Sequence, residues 1–306
     1  MPMGRMALYE RRAHEPLLSG SPDRLCTLAP GMNPPAATEI PKPLPRSTTE
    51  KLRQKFFAPE DHPNRIFERE VQCRLKPGHT VLDAGCGRSA EVVGRLSGKA
   101  GRLIGVDLVD FSWEARQKPI ELLQSDLSEM PVESGSVDMV ISRAVMEHLT
   151  DPLAVYREFY RVLRPGGTLI FLTPNLWDYA SLIAVLVPNR LHPAIVARTE
   201  GRKEDDTFRT YYRSNSARAI RRWAARSGLS LVSLRYLGQY PSYLMFNPVL
   251  FLMGTAYEKI ISRFHSLRFL RGWLLAELVK PDLNRTAEHT GLRKAVTSHA
   301  RQSMGD

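Results

Sequence analysis

The sequence has few cysteines and no long uninterrupted apolar run, and each absence excludes a class of protein. The three cysteines among 306 residues, Cys26, Cys73 and Cys86, are widely spaced, so neither a disulfide framework nor a zinc site is indicated. The apolar stretch from Tyr243 to Ile261 is broken by Asn, Pro, Gly and Glu and is a poor candidate for a membrane span. The first residues also lack the apolar core of a signal peptide. We therefore expect a cytoplasmic location and no metal ion.

The charge is unbalanced, with a formal net charge of +11. The surplus lies largely after Asn175, whereas residues 79–175 contain more Asp and Glu than Lys and Arg. No recognised nucleic-acid-binding motif accompanies the basic residues, so we expect no nucleic-acid partner. An arginine-rich solvated surface is the simplest interpretation, and a surface for an anionic substrate or lipid head groups is the alternative.

Composition and periodicity divide the chain into three parts. The first is rich in Pro, Ser and Ala without sustained periodicity, so it is predicted to be disordered. A folded domain follows, and the last residues are polar. The predicted parts are 1–48 (disordered), 49–281 (domain, with core 79–175, insertion or cap 176–213 and C-terminal helices and strands 214–281) and 282–306 (flexible tail).

Strands and helices alternate after the Lys76-Pro77-Gly78 turn, a pattern typical of a parallel sheet with helices on both faces. We therefore predict an α/β fold. The predicted strands are 80–84, 102–106, 120–124, 137–142, 168–173, 229–237 and 273–279. The predicted helices are 90–96, 151–163, 216–227 and an apolar segment 242–264, after a helical or mixed segment 49–75.

The strongest motif follows the first strand. Asp83-x-Gly85-x-Gly87 places two glycines where the chain turns from a buried strand towards a helix N-terminus, so the backbone is able to approach a ligand closely. Read with Ala90, the same glycines also match the dinucleotide fingerprint. The glycines alone therefore do not name a cofactor.

Acidic residues stand at the ends of successive strands. Asp83 is placed to order the glycine turn and meet a cationic ammonium group, and Asp107 to accept hydrogen bonds from two ribose hydroxyls. Asp126 is placed to accept from an adenine amino group, with Leu127 against the ring. Each carboxylate alone is explained equally well as a loop cap, but three at consecutive strand ends indicate a binding site.

Together these motifs resemble the class I S-adenosylmethionine-dependent methyltransferases, in particular the bacterial small-molecule branch of methyltransferase type 11. The residues that carry the resemblance are Asp83-x-Gly85-x-Gly87, Gly105-Val106-Asp107, Ser125-Asp126-Leu127 and Leu163-Arg164-Pro165-Gly166-Gly167. They cover roughly residues 70–175. Ser89 stands where members often have a third glycine, so the sequence leaves the path of the loop there open.

The resemblance implies a Rossmann-like, seven-stranded, mostly parallel sheet with helices on both faces and a helical insertion or cap. It also implies S-adenosylmethionine as the cofactor, with the methionine part at Asp83 and the glycine turn. The predicted cofactor-binding residues are Asp83, Gly85, Cys86, Gly87, Asp107, Leu108, Asp126, Leu127 and Arg143.

Candidate catalytic and substrate residues follow the fourth strand and close the insertion. The imidazole of His148 is a candidate acceptor for a hydroxyl proton, although a role in holding the loop in place would also explain His148 and Glu147. The insertion ends in a run of acids, aromatics and arginines that suits a polar lid. The predicted substrate-binding residues are Glu147, Tyr211, Tyr212 and Arg213.

A polar lid suits a hydroxylated substrate, and the insertion with the segment Pro241-Ser242-Tyr243-Leu244 resembles methyltransferases associated with bacterial cell-surface glycan synthesis. This resemblance implies O-methylation of a small molecule or a cell-surface glycan precursor. The apolar segments 179–187 and 243–261 keep two alternatives open, a quinone or lipid-linked substrate and a peripheral contact with a membrane. The alternatives of another class are an NAD-dependent oxidoreductase and a non-catalytic cofactor-binding scaffold. The oligomeric state is left open by the sequence.

Overall fold

A computed structural model describes residues 47–179, 181 and 208–282. They form a seven-stranded sheet in the order β3-β2-β1-β4-β5-β7-β6. The sheet is parallel apart from β7, which runs antiparallel to both β5 and β6. The predicted seven-stranded, mostly parallel sheet is therefore confirmed. The strands are β1 (Thr80–Ala84), β2 (Arg102–Asp107), β3 (Glu121–Gln124), β4 (Val137–Arg143), β5 (Leu163–Pro174), β6 (Ser230–Leu237) and β7 (Trp273–Val279).

Helices cover both faces of the sheet, as predicted. Phe67, Val71 and Val93 from α2 and α3 are buried on one face, and Tyr156 and Phe159 from α5 are buried with α6 on the other. The α-helices are α1 (Thr48–Phe56), α2 (Pro63–Arg74), α3 (Glu91–Gly94), α4 (Trp113–Arg116), α5 (Pro152–Val162), α6 (Ala217–Ser227) and α7 (Pro248–Arg263). Short 3₁₀ turns occupy Pro59–Asp61, Met146–His148, Ser242–Leu244 and His265–Leu270.

Helix α5 shows how local sequence signals position the domain. Asp151 caps it by accepting hydrogen bonds from the N–H groups of Leu153 and Ala154 at 3.0 and 3.2 Å, and Pro152 occupies the first helical position. Tyr156 and Phe159 are fully buried, and burying each side chain contributes about 1.5–3 kcal/mol. Both ends of this helix agree closely with the prediction.

Two predicted boundaries near the core were wrong. The helix predicted over 90–96 is limited to Glu91–Gly94, because Ala90 has a left-handed backbone with φ of 43°. Residues 164–167 were predicted to end α5 before a strand beginning at Thr168. Instead β5 begins at Leu163, which pairs with Val137, and the register shifts before the next pair. The Pro-Gly-Gly segment is therefore an irregularity within β5.

The second half also differs from the prediction. The apolar segment 242–264 is two elements, a 3₁₀ turn and α7, because Asn247 caps α7 and Pro248 begins it. Helix α4 was not predicted; Ser112 caps it. No helix among the described residues is long and apolar enough to cross a membrane.

Several predictions lie outside the described residues. They concern residues 1–46, Cys26, most of the segment 179–187, residues 204–207 and the tail from residue 283. Ser47 and Thr48 are described, and there Ser47 already caps α1. The domain boundaries stay predictions.

Candidate functional site

The carboxyl ends of the parallel strands meet along one edge of the sheet. The strand order reverses between β1 and β4, which lie side by side at its centre. In open α/β sheets a ligand binds outside the carboxyl ends at such a reversal. The residues after β1, β2, β3, β4 and β5 are therefore the candidate site.

The glycine turn after β1 requires both of its glycines. Gly85 and Gly87 have φ of 78° and 70°, a left-handed conformation that side chains disfavour. A Cβ atom on Gly85 would lie 2.3 Å from Cγ2 of Val145. Because Val145 follows β4, this contact holds the turn after β1 against the loop after β4.

Asp107 at the end of β2 holds the same turn from the other side. Its Oδ2 accepts a hydrogen bond from the N–H of Gly87 at 2.7 Å, and its Oδ1 accepts one from the N–H of Val109 at 3.2 Å. An ionised carboxylate offers about four acceptor positions. Asp107 therefore has capacity left for two hydroxyl donors.

The turn continues in a path that the glycine pattern did not define. Ser89, in place of a third glycine, accepts a hydrogen bond through its backbone oxygen from Nζ of Lys118 at 2.8 Å. The next residue, Ala90, carries the left-handed backbone. The loop therefore bends one residue after the position of the missing glycine.

Asp83 is a buried carboxyl group beneath the turn. Its side chain is 2% exposed, and Oδ2 accepts a hydrogen bond from the N–H of Val93 at 3.2 Å. Burial raises the pKa of Asp83 to about 7; the positive charge of Arg143 opposes this shift and the negative charge of Asp107 adds to it. A cationic ligand group close to Asp83 would favour its ionised form.

The other predicted cofactor residues differ in how exposed their side chains are. Leu108 is exposed, and Asp126 is exposed with its Oδ1 accepting from the N–H and the hydroxyl of Ser128 at 2.7 and 2.6 Å. Leu127 is buried in the core beside α5, so little of its side chain is open to a ligand. Cys86 is buried, which raises the pKa of its thiol, and its sulfur would be 2.9 Å from a Cβ on Gly105.

Arg143, the last residue of β4, places a positive charge at the carboxyl edge of the sheet. Nη1 of Arg143 lies 3.8 Å from Oε1 of Glu68 in α2. Ala144, which follows, has φ of 56° and donates its N–H to the backbone oxygen of Leu172 in β5 at 2.8 Å. A left-handed alanine costs on the order of 1 kcal/mol, so the surrounding contacts hold this bend in place.

His148 and Glu147 lie together after β4. Nδ1 of His148 is 3.1 Å from the backbone oxygen of Arg209. Because a carbonyl only accepts, Nδ1 carries the proton in this contact and Nε2 is the basic nitrogen. Nε2 lies 3.9 Å from Oε1 of Glu147. The carboxylate is therefore near enough to stabilise a protonated imidazole electrostatically.

A chain of buried polar groups fixes Glu147. Its Oε2 accepts from the hydroxyl of Thr173 at 3.1 Å. The side-chain amide of Asn215 donates to that Thr173 oxygen at 2.7 Å and to the backbone oxygen of Pro174 at 3.0 Å. These hydrogen bonds connect the loop after β4, the end of β5 and the residue before the cap of α6.

The segment before α6 folds back onto the same loop. The N–H groups of Tyr211 and Tyr212 donate to the backbone oxygen of Glu147 at 2.7 and 3.1 Å. The Arg213 guanidinium donates to the backbone oxygen of Thr150 and lies 5.4 Å from the ring centre of Tyr211. The structure thus brings His148 and the four predicted substrate residues together.

Sequence analysis missed Glu68, Thr173 and Asn215. Thr173 is the second-last residue of β5 and Asn215 stands two residues before α6, so each carried the signal of a polar residue near an element end. The hydrogen bond between Thr173 and Asn215 joins residues 42 positions apart, so no local sequence pattern predicts it. Among the described residues, no group of three or more His, Cys, Asp and Glu side chains is arranged to hold a metal ion.

Comparison with known proteins finds similarity to methyltransferases. Residues 82–171 match the family described as "Methyltransferase domain". A probable S-adenosylmethionine-dependent methyltransferase of Mycobacterium tuberculosis is 34% identical over 155 residues, 47% of this chain and 54% of that protein. The ubiquinone biosynthesis O-methyltransferase of Xanthomonas campestris is 35% identical over 120 residues, 36% of this chain and 49% of that protein. A methyltransferase structure from Mesorhizobium loti aligns with 71% of this chain and 97% of its own, at 16% identity and a TM-score of 0.47.

The match to the methyltransferase domain family covers residues 82–171, less than a third of this chain. The chain spans between about a third and about half of the length of the first curated relatives that it matches. The segment 82–171 that matches the family contains the glycine turn, Asp107 and His148.

Proposed function

We propose that the protein is an S-adenosylmethionine-dependent methyltransferase that methylates an oxygen of a small molecule or a glycan precursor. The observation that carries the proposal is the hydrogen bond of 2.7 Å between Gly87 and Asp107. It joins the glycine turn and the carboxylate in one cradle at the strand-order reversal. The match of residues 82–171 to the methyltransferase family supports the same cofactor.

Each acidic residue of the cradle suits one part of this cofactor. The ammonium group of the methionine part would lie near Asp83, whose burial makes a cationic partner favourable. The two ribose hydroxyls would donate to Asp107. Asp126 would accept from the adenine amino group, since its Oδ2 is not used in the two contacts with Ser128. Arg143 would line the methionine end.

The chemistry needs little from the protein beyond alignment and one proton acceptor. When bound, the cofactor supplies a methyl group that its sulfonium already activates. Holding the acceptor oxygen in line with the carbon–sulfur bond supplies much of the rate. Nε2 of His148 would take the proton of the acceptor hydroxyl, and the Glu147 carboxylate at 3.9 Å would stabilise the resulting imidazolium. The acceptor oxygen would gain the methyl group as the bond from that methyl group to sulfur breaks, which leaves the cofactor as a neutral thioether.

Two observations bear on the acceptor. The Xanthomonas relative acts in ubiquinone biosynthesis as an O-methyltransferase, which supports oxygen as the acceptor atom and keeps a quinone or lipid-linked substrate as the alternative. The segment 208–213 lies over His148 through the contacts of Arg209, Tyr211 and Tyr212 with residues 147–148, which suits a polar substrate.

The family match disfavours the NAD-dependent alternative. The non-catalytic alternative is tested by turnover: the protein is incubated with methyl-tritiated S-adenosylmethionine and separate polar and lipid extracts. We expect label in one acceptor fraction from the wild type and far less from His148→Gln. Cofactor binding without label in either fraction would favour a scaffold. His79→Gln, at the opposite edge of the sheet, is the matched control and should transfer label normally.

A further inference from the structure

A second cleft lies at the carboxyl end of β6, on the same edge of the sheet as the proposed cofactor site. Its volume is about 560 Å³. The segment from α1 to α2 forms one wall, and α7 with the turn before β7 forms the other. β6 runs parallel to β5, since both are antiparallel to β7. The carboxyl end of β6 therefore lies at the same edge of the sheet as the carboxyl end of β5, and this cleft and the cofactor cradle share that edge.

The cleft has an excess of positive charge. Five Arg or Lys and two His residues line it, against Asp61 and Glu258. Two of the arginines have carboxylate partners: Arg53 pairs with Glu50 at 2.6 Å, and Arg235 with Glu70 at 2.7 Å. The remaining cations are Lys259, Arg268 and Arg271.

These three cations have no carboxylate within 4.0 Å among the described residues. Arg271 is held by the backbone oxygens of Tyr236 and Ser262 at 3.2 and 3.1 Å, and its Nε is buried without a hydrogen-bond partner in the described part of the chain. Backbone oxygens orient a guanidinium without neutralising it. The cleft therefore presents uncompensated, partly pre-oriented positive charge.

Glu258 does not cancel that charge. Its side chain is 2% exposed, and neither carboxyl oxygen has a hydrogen-bond partner in the structure as described. Burial, with the negative charge of Asp178, raises the pKa of Glu258 to about 8, against the opposing charge of Arg271. The buried carboxyl group therefore compensates the cations of the cleft less than an exposed glutamate would.

Aromatic rings form the wall beside the cations. The rings of Phe57 and Tyr240 are 6.2 Å apart, and those of His62 and Tyr240 are 5.8 Å apart. Nζ of Lys259 lies 4.8 Å from the ring centre of Phe57. Such a wall offers apolar surface to an organic group next to an anion.

Helix α2 connects this cleft to the cofactor edge. His62 caps its N-terminus and lines the cleft, while Glu68, six residues on, lies 3.8 Å from Arg143. The charge of Arg143 also contributes to lowering the pKa of His62, after burial and the charges of Arg53 and Arg65. Helix α2 therefore extends from the cleft towards the edge where the cofactor is proposed to bind.

We infer that this cleft binds the phosphate group of an organic methyl acceptor, with Lys259, Arg268 and Arg271 as its cationic partners and the aromatic wall beside its organic part. The assignment of that molecule as the acceptor rests on the proposed function; the phosphate site itself does not. A sugar phosphate and a prenyl phosphate share this chemistry, and the experiment distinguishes them.

The test is calorimetric titration of the full chain with inorganic phosphate, glucose 1-phosphate and farnesyl phosphate, and separately with S-adenosylhomocysteine. We expect at least one organic phosphate to bind more tightly than inorganic phosphate. The double variant Lys259→Gln/Arg268→Gln should weaken that binding by about tenfold or more, since a charge-assisted hydrogen bond contributes about 1.5–3 kcal/mol. Both residues are exposed, so the fold should persist.

The matched control is Arg218→Gln/Arg221→Gln, which removes the same charge from exposed positions of α6 and should leave phosphate binding unchanged. S-adenosylhomocysteine should bind to all three proteins alike. Absent organic-phosphate binding, or equal binding by the double variant and the wild type, would overturn the phosphate site. Absent S-adenosylhomocysteine binding to the wild type would instead contradict the proposed function.

Discussion

The N–H group of Gly87 donates a hydrogen bond of 2.7 Å to Oδ2 of Asp107, so the end of β2 holds the turn that follows β1. The other side of that turn packs on Val145 after β4. Three strands therefore position the proposed cofactor site before any ligand binds. Such pre-organisation reduces the ordering cost of binding.

Replacing Gly85 should be much more harmful than replacing Gly87. Both glycines have positive φ, which costs an alanine about 1 kcal/mol or more. A Cβ on Gly85 additionally meets Val145 at 2.3 Å, whereas one on Gly87 has nothing within 4 Å. Urea unfolding should show a larger loss of stability for Gly85→Ala than for Gly87→Ala.

A second substitution separates the two causes. Val145→Ala should recover part of the loss in Gly85→Ala by removing the clashing atoms, and the strain from φ should persist. Equal losses for the two glycine variants, or no recovery in Gly85→Ala/Val145→Ala, would mean that the packing between these loops is not as described.

Cofactor affinity should rise with pH around neutrality because of Asp83. Its pKa is raised to about 7, first by burial, so below that pH the side chain is mostly protonated and above it mostly ionised. An ammonium group binds better beside the ionised form. Titrations with S-adenosylhomocysteine between about pH 6 and pH 8, which bracket this pKa, should therefore show tightening that levels off at the upper end.

The variant Asp83→Asn isolates this effect. It should bind more weakly above neutral pH and should lose the part of the pH dependence due to Asp83. A wild-type affinity that falls over the same range, or an unchanged pH profile in Asp83→Asn, would show that Asp83 does not meet the cationic group.

The hydroxyl of Thr173 should contribute more to the free energy of unfolding than its methyl group. It accepts from Asn215 at 2.7 Å and donates to buried Glu147 at 3.1 Å. Thr173→Val removes a partner from two buried groups and should cost about 1–3 kcal/mol of unfolding free energy. Thr173→Ser keeps the hydroxyl and should cost less. The reverse order in chemical unfolding would contradict the polar chain.

His148→Gln should separate catalysis from binding. Loss of a general base typically lowers a rate by about 10²–10⁴-fold, whereas S-adenosylhomocysteine affinity should stay unchanged, because His148 contacts the segment 208–213 and not the glycine turn. Single-turnover methyl transfer and calorimetry measure the two quantities. An unaltered rate would assign His148 to loop support alone.

The sequence predicted the sheet well because its signals are local. The bounds of β1 and β7 agree with the prediction, since each strand is a short apolar run between turn residues. The glycine turn and Asp107 likewise follow from residues adjacent to strand ends.

The rest depends on contacts between distant parts of the chain. Val145 fills the space that Gly85 leaves, and nothing near residue 85 announces it. The basic cleft combines α1, β6 and α7, and Glu258 reads in the sequence as an ordinary interruption of an apolar helix. Only its burial without a hydrogen-bond partner among the described residues makes it notable.

The most direct test of the account is calorimetric titration of the protein with S-adenosylmethionine, comparing the wild type with Asp107→Ala. The control is Asp110→Ala. Asp110 follows Asp107 by three residues, and its exposed carboxylate pairs with Arg116. The wild type and the control should bind the cofactor, and Asp107→Ala should lose about tenfold or more in affinity, because the buried ribose hydroxyls lose their acceptor. No binding by the folded wild type, or equal binding by Asp107→Ala, would contradict it.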